Sequence, residues 1–298
     1  MVASPSRFWH IRSNPLTMRI DAHQHFWIYD PSEYAWIDES MANLRRDFLP
    51  DDLKPELDQA GVHGCVAVQA RQTLEETNWL LRLASESPFI LGVVGWVDLR
   101  SAKLRSDLQG FANQPKLVGV RHIVQSEPDE RFLLQPEFLR GLSMLEAYDL
   151  AYDILIYEKH LPVAAEFVQQ FPRQRFVLDH LGKPRVKEKQ THPWSEGIRK
   201  LAAFPNVYCK LSGMVTEADW QNWKPDDFAP YLDVAVECFG PDRVMFGSDW
   251  PVCTVAGSYL RVMDAIHDYF ARFAGNFREK LLGSNAIRFY KLQSPGGS

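Results

Sequence analysis

The sequence predicts a single (β/α)8 TIM barrel of the α/β class, with an N-terminal extension and an extra C-terminal helix. Three observations carry that prediction. From Arg19 onward, short apolar runs alternate with amphipathic stretches eight times over. Each run is continuously hydrophobic rather than alternating, which calls for parallel strands buried on both faces. No linker or shift in composition divides the 298 residues, a length that α/β barrels reach as one unit.

The first strand covers residues 20–26. The excursion over 27–47 is rich in aromatics (Trp27, Tyr29, Tyr34, Trp36) and too polar to be helical throughout. It reads as a packed Ω-loop or as a wall for the apolar face of a ligand. Leu49-Pro50-Asp51-Asp52 then opens a helix, with Asp51 or Asp52 as its N-cap. The second strand, 64–70, leads to a helix over 74–87 with Leu80, Leu81, Leu83 and Ala84 as its apolar stripe. Strands over 90–97 and 117–124 precede helices over 102–112 and 136–147, the second opened by Pro136. The remaining strands are 151–157, 175–181, 206–211 and 243–247. Their helices are 161–171, 194–204, 228–239 and 259–273, with Gly240-Pro241 ending the third. A last helix, 277–290, packs on at the end. Residues 1–18 contain Arg7 and Arg12 but no apolar signal-peptide core, and read as a flexible arm. The barrel then spans 19–291, and 292–298 form a flexible tail.

Composition narrows the function classes. The chain is 46% hydrophobic and 24% charged, as ordinary globular proteins are. A net charge of -5 with interspersed signs and no basic stripe argues against a nucleic-acid partner. The longest apolar run, 90–97, is too short to cross a bilayer, so no membrane partner is expected. Cys65, Cys209, Cys238 and Cys253 are widely spaced without a CxxC and read as reduced thiols of a cytoplasmic protein. Cys253, just beyond the last strand, is expected as a small buried residue rather than a reactive one.

In such a barrel the chemistry collects at the C-terminal ends of the strands. His23 and His25 alternate along the first strand and so share a face, where two imidazoles hold a metal ion or polarise one oxygen. Asp249 follows the last strand, and a barrel that closes first strand on last brings it beside them. A buried carboxylate at that place needs a partner. The other strand ends supply Gln69 and Arg71, Trp96 and Asp98, Arg121 and His122, Tyr157, then Asp179, His180 and Lys183, and finally Lys210 and Ser212. Arg121 pairs with Asp98 or Asp179 or else donates to a substrate. Tyr157 is a lid on the core or a donor, and Lys210 reads as an ion-pair partner. These groups suit hydrolysis: Asp249 takes a proton from a water that attacks a carbonyl, while His23, His25, His180 or a metal between them stabilises the oxyanion. No phosphate-cradling glycine loop opens a helix, and no GxSxG elbow is present.

Four stretches resemble the amidohydrolase superfamily, and within it the amidohydrolase-2 branch of lactonases and decarboxylases. They are Asp21-Ala22-His23-Gln24-His25-Phe26-Trp27, Leu178-Asp179-His180-Leu181-Gly182-Lys183-Pro184, Phe246-Gly247-Ser248-Asp249-Trp250-Pro251, and Leu282-Gly283-Ser284-Asn285-Ala286-Ile287-Arg288-Phe289-Tyr290. The first of these, with Gly119-Val120-Arg121-His122, is similar to the hydrolases of sugar lactones such as fuconolactone and rhamnonolactone. That resemblance implies Asp249 as general base and His23, His25 and His180 around the carbonyl. Arg121, His122 and Tyr157 then fall near the substrate, and Trp27 of the aromatic excursion and Gln69 of the second strand end are further candidates to touch it. The fourth strand lacks the bridging lysine or glutamate of metal-rich members, and Tyr157 stands where they have a histidine. A two-metal site is therefore not expected; His23, His25 and Asp249 remain as ligands for one divalent ion such as zinc, which some lactonases of this branch dispense with. The expected partner is a small sugar lactone, with a homodimer as the expected assembly. Three alternatives stand beside this reading. One is a metal-dependent decarboxylase, and another a pyrone-dicarboxylate lactonase that would draw on Arg121, Arg71 and Arg185. The last is a sugar-binding barrel without catalysis, against which the intact His23, His25, His180 and Asp249 speak.

Overall fold

Strands β1 (Ile20–Gln24), β2 (Gly64–Val68), β3 (Ile90–Gly95), β4 (Leu117–Ile123), β5 (Ala151–Leu155), β6 (Phe176–Leu178), β7 (Val207–Leu211) and β8 (Val244–Phe246) lie side by side in chain order as one sheet. Every ladder is parallel. This is a computed structural model, and it describes residues 18–273 and 276–293. Residues 1–17 of the expected 1–18 arm and residues 294–298 of the expected tail lie outside the described residues.

Helices α1 (Pro50–Ala60), α2 (Leu74–Glu86), α3 (Leu104–Gly110), α4 (Pro136–Leu142), α5 (Leu161–Gln169), α6 (Trp194–Ala202), α7 (Ala229–Phe239) and α8 (Tyr259–Phe270) each follow one strand. They bury Leu80, Phe138, Phe167 and Trp194 against the outer faces of the strands. A second, smaller core of Ile20, Ala22, Val66, Val68, Val118, Val177 and Met245 fills the barrel. The C-terminal stretch runs through α9 (Phe277–Glu279), a wider turn over Lys280–Ser284, and α10 (Asn285–Tyr290). It closes the barrel at the N-terminal ends of the strands: Ala286, Phe289 and Tyr290 join the inner core, and Asn285 Nδ2 donates to the carbonyls of Pro241 and Val244.

β1 and β8 meet without a regular ladder. Gln24 pairs with Trp250 at an isolated bridge, the Asp249 N–H donates to the His23 carbonyl (2.8 Å), and the His25 N–H donates to the Trp250 carbonyl (2.7 Å). Asp21 Oδ1 accepts from the backbone N–H groups of His23 (3.1 Å) and Ser248 (2.9 Å), one from each side of the gap. The carboxylate and both N–H groups are buried, where an unmade hydrogen bond is expensive.

Several boundaries differ from the sequence reading. The apolar runs outlast the ladders, so β1 stops at Gln24 although Phe26 is buried, and β3 stops at Gly95 although Val97 is buried. These residues pack under the loops after their backbone has left the sheet. The N-cap of α1 is Leu49 rather than Asp51 or Asp52. Pro50, lacking an N–H, takes the first helical position, and the Asp52 carboxylate reaches back to the Leu49 N–H (2.9 Å). α4 ends at Leu142, well short of 147, where the Ser143 hydroxyl donates to the Arg140 carbonyl (2.6 Å) and competes with the helix ladder. All four cysteines are free thiols, and burial pushes that of Cys253 far up, which leaves it unreactive. No described helix is long and apolar enough to cross a membrane.

Replacing Asp21 with alanine strands the His23 and Ser248 N–H groups, at about 1–3 kcal/mol each. Asp21→Asn keeps an acceptor oxygen and should retain most of that stability. Denaturant unfolding of the two variants checks this; equal losses would mean that the seam does not depend on the acceptor.

Candidate active site

The residues at the β1–β8 junction converge on one point. His23 Nε2 and His25 Nε2 lie 3.2 Å apart, and Asp249 Oδ1 is 3.3 Å from His25 Nε2 and 3.8 Å from His23 Nε2. His180 Nε2 stands 4.0 Å from the same oxygen. His25 Nδ1 is 2.8 Å from the Val68 carbonyl, which only accepts, so Nδ1 carries the proton and Nε2 presents a lone pair. His180 Nδ1 is held by Ser212 Oγ at 2.9 Å.

The backbone that presents these groups is strained. His180 (φ 52°), Leu181 (φ 54°), Gly182 (φ 68°) and Lys183 (φ 52°) are left-handed in succession, and Asp249 has φ 60°. Each non-glycine member costs about 1–2 kcal/mol. Two glycines make room for the rings. A Cβ on Gly213 would sit 2.5 Å from His180 Nδ1, and one on Gly247 would sit 2.5 Å from His23 Cβ.

Beneath the histidines lies a fully buried ionic network. Lys210 Nζ donates to Asp153 Oδ2 (2.5 Å) and lies 3.1 Å from Asp179 Oδ1 and 3.2 Å from His23 Nδ1. The Tyr290 hydroxyl of α10 donates to Asp153 Oδ2 at 2.7 Å. Arg121 Nη1 bonds Asp179 Oδ2 (3.0 Å) and approaches His23 Nε2 (3.2 Å), while its Nη2 donates to the Gln69 carbonyl. Burial pushes His23 well below the usual histidine range and His180 down to about 4, so both are neutral near pH 7. Burial acts to raise Asp249 and Asp179 as well, but their neighbours prevail. The imidazoles of His180, His25 and His23 hold Asp249 down, and Lys210, His23 and Arg121 hold Asp179 down.

The donor set fits a divalent cation. A tetrahedral ion with bonds of about 2.0–2.1 Å places its ligand atoms about 3.3 Å apart. The His23–His25 and His25–Asp249 separations, 3.2 and 3.3 Å, match that, and the His23–Asp249 separation is wider at 3.8 Å. A second group, His23, Asp179 and His180, is also compact, but Arg121 and Lys210 already occupy Asp179.

A cavity of about 400 Å³ opens above this floor, lined by His25, Trp27, Arg121, Tyr157, His180 and Asp249 among others. Trp27 joins both readings of the aromatic excursion. It is fully buried against Tyr34, Trp36 and Phe48, its Nε1 donates to the Arg46 carbonyl (2.9 Å), and it faces the cavity. Tyr157 stands at the rim, 41% exposed. Of the two pairings considered for Arg121, Asp179 is the one made. Two residues placed near a substrate from the sequence lie elsewhere. His122 points away, stacked on Phe132 (4.7 Å) with its Nε2 on Glu127 (2.6 Å), because neighbours in a strand face opposite sides and Arg121 takes the inner one. Gln69 is buried behind Arg121, its Nε2 donating to the Arg121 carbonyl (3.2 Å). Arg71 and Arg185 pair with Glu33 (2.9 Å) and Glu158 (2.7 Å) and do not line the cavity. Sequence reasoning passed over Glu217 and Trp220 in the wall. They follow β7 by several residues, and extending the strand-end rule into the loops would have reached them.

A family model described as amidohydrolase matches residues 20–292. An L-fucono-1,5-lactonase of Burkholderia multivorans is 42% identical over 289 residues, covering 93% of this chain and 97% of its own. An L-rhamnono-gamma-lactonase of Scheffersomyces stipitis is 25% identical over 200 residues, covering 58% of this chain and 59% of its own. The crystal structure of a Burkholderia multivorans amidohydrolase with bound zinc superimposes with a TM-score of 0.90 at 41% identity, covering 93% of this chain and 100% of that one. The strand-end histidines, the aspartate after β8 and the match over nearly the whole barrel agree: this chain belongs to the amidohydrolase family.

Proposed function

We propose that this chain hydrolyses a sugar-derived lactone to its aldonic acid, with L-fucono-1,5-lactone as the first substrate to try. The observation that carries this reading is the convergence of an ionised, buried Asp249 with His23, His25 and His180 on the floor of one cavity. The relative named L-fucono-1,5-lactonase supports it. His23, His25 and Asp249 would hold one divalent ion, for which zinc is the candidate. Bound there, it supplies Lewis-acid polarisation of the lactone carbonyl.

The chain's own groups do the rest. Asp249 accepts a proton from water as the oxygen adds to the carbonyl carbon. The Arg121 guanidinium, fixed by Asp179, stabilises the negative charge that develops on the carbonyl oxygen. When the ring C–O bond breaks, Asp249 returns the proton to the departing ring oxygen. Neutral His180, anchored by Ser212, lends a hydrogen bond without taking the proton Asp249 needs. The hydroxy acid product then ionises and releases one proton to solution. A pyrone dicarboxylate fits less well, since Arg71 and Arg185 are engaged away from the cavity. We place the enzyme in the cytoplasm, where its thiols stay reduced, as a homodimer acting on a small molecule.

Proton release on adding a panel of aldonolactones tests the reading. Asp249→Asn should lower kcat about 10²–10⁴-fold; a variant as fast as wild type would remove Asp249 from the mechanism. Dialysis against a chelator should slow the enzyme and added zinc should restore it, whereas an indifferent rate would show that no metal takes part. Gly213→Ala, which drives a methyl group into His180, should cut kcat more than tenfold; full activity would mean that the ring position is not critical.

A further inference from the structure

Two charged side chains in the cavity wall have no task in the hydrolytic chemistry. Lys183 closes the left-handed run after β6, and Glu217 lies in the loop after β7; both line the cavity with Tyr157 and Trp220. Lys183 Nζ and Glu217 Oε1 are 3.6 Å apart, well beyond the roughly 2.7–2.9 Å of a tight charge-assisted hydrogen bond. Their side chains keep 17% and 24% exposure, so neither is sealed off. The ammonium also stands 5.4 Å over the Tyr157 ring. The pair therefore holds unused capacity: three N–H donors on one member and most of the lone-pair sites on the other.

A loose carboxylate–ammonium pair at the edge of a cavity matches a vicinal diol. One hydroxyl donates to the carboxylate while its neighbour accepts from the ammonium, and hydrogen bonds to charged groups are the stronger kind. The faces of Tyr157, Trp220 and Trp36 offer apolar surface to the C–H side of such a ring. An anionic ligand fares worse. It would meet the carboxylates of both Glu217 and Asp249, while Arg121 is taken up by the lactone carbonyl. Burial raises the Glu217 carboxyl, Lys183 opposes that rise, and the charge of Asp249 adds to it.

We propose that the Lys183–Glu217 pair is the specificity element of this site, reading two hydroxyls of an uncharged polyhydroxylated lactone and turning away lactones that carry a carboxylate. This rests on the lactonase reading given above.

The test measures proton release by wild type, Glu217→Gln, Lys183→Met and the double variant on three lactones. These are L-fucono-1,5-lactone, δ-valerolactone (which has no hydroxyls) and a glucaric acid lactone bearing a free carboxylate. Each single variant should lower the ratio of kcat/KM for fuconolactone to that for δ-valerolactone by about ten- to a hundredfold, mainly through KM. The double variant should lose less than the product of the two single losses, because the partners act together. Glu217→Gln should also raise kcat/KM for the glucaric acid lactone relative to δ-valerolactone, by about tenfold. Activity on δ-valerolactone reports that each variant has folded. If the fuconolactone ratio stays unchanged in both single variants, the proposal falls and the lactonase reading stands. If wild type opens none of the three faster than they hydrolyse spontaneously, the lactonase reading falls and the proposal with it.

Discussion

The barrel is held shut by the residues that line its floor. Seven of its junctions are parallel ladders, three of them with a shift in register, but β1 and β8 are joined by a single bridge and a few hydrogen bonds. The donors and acceptors of those bonds belong to His23, His25, Asp249 and Trp250, with Asp21 binding a backbone N–H on either side. Closing the sheet and assembling the site are therefore one event. This explains why the strain of a left-handed Asp249 is tolerated: the same backbone turn delivers its N–H to His23 and its carboxylate to the two imidazoles.

Below that junction the electrostatics are arranged in pairs. Lys210 and Arg121 offset Asp153 and Asp179, and Tyr290 completes the Asp153 end. Buried ions are costly when unpaired, and a network with its hydrogen bonds made avoids most of that cost. Asp249 is different. Its neighbours are histidines, two of them kept neutral by burial, and among the described residues no lysine or arginine pairs with it. The negative charge surplus thus sits at the one place where the imidazole lone pairs also converge, which is the electrostatic counterpart of the ligand spacing.

Much of this was legible in the sequence, and the limits have physical causes. The alternation of His23 and His25 is a local property of a strand, and the approach of Asp249 follows from closing a barrel in chain order. His122 was misplaced because two adjacent polar residues end the same strand, and only register decides which of them faces inward. Gln69 failed for a related reason: its side chain ends beneath the site, supporting Arg121. The Lys210–Asp153–Asp179 network draws on three strands, so nothing in any one stretch announces it, although an ion-paired Lys210 was expected. Glu217 sits in a loop with no periodicity to mark it. The start of α1 moved to Leu49 through Pro50, a backbone effect that outweighed the capping preference of the aspartates.

The junction between the first and last strands also has a temporal side. Asp21 and Ser248 are 227 positions apart in the chain. At a synthesis rate of about 5–20 residues per second, the first strand waits roughly 11–45 s on the ribosome for its partner. During that interval the two N-terminal histidines exist without the aspartate that completes their set, and α10, which plugs the barrel, is made later still. The converged histidine and aspartate groups of the floor therefore do not exist until β8 has been made and α10 has closed the barrel.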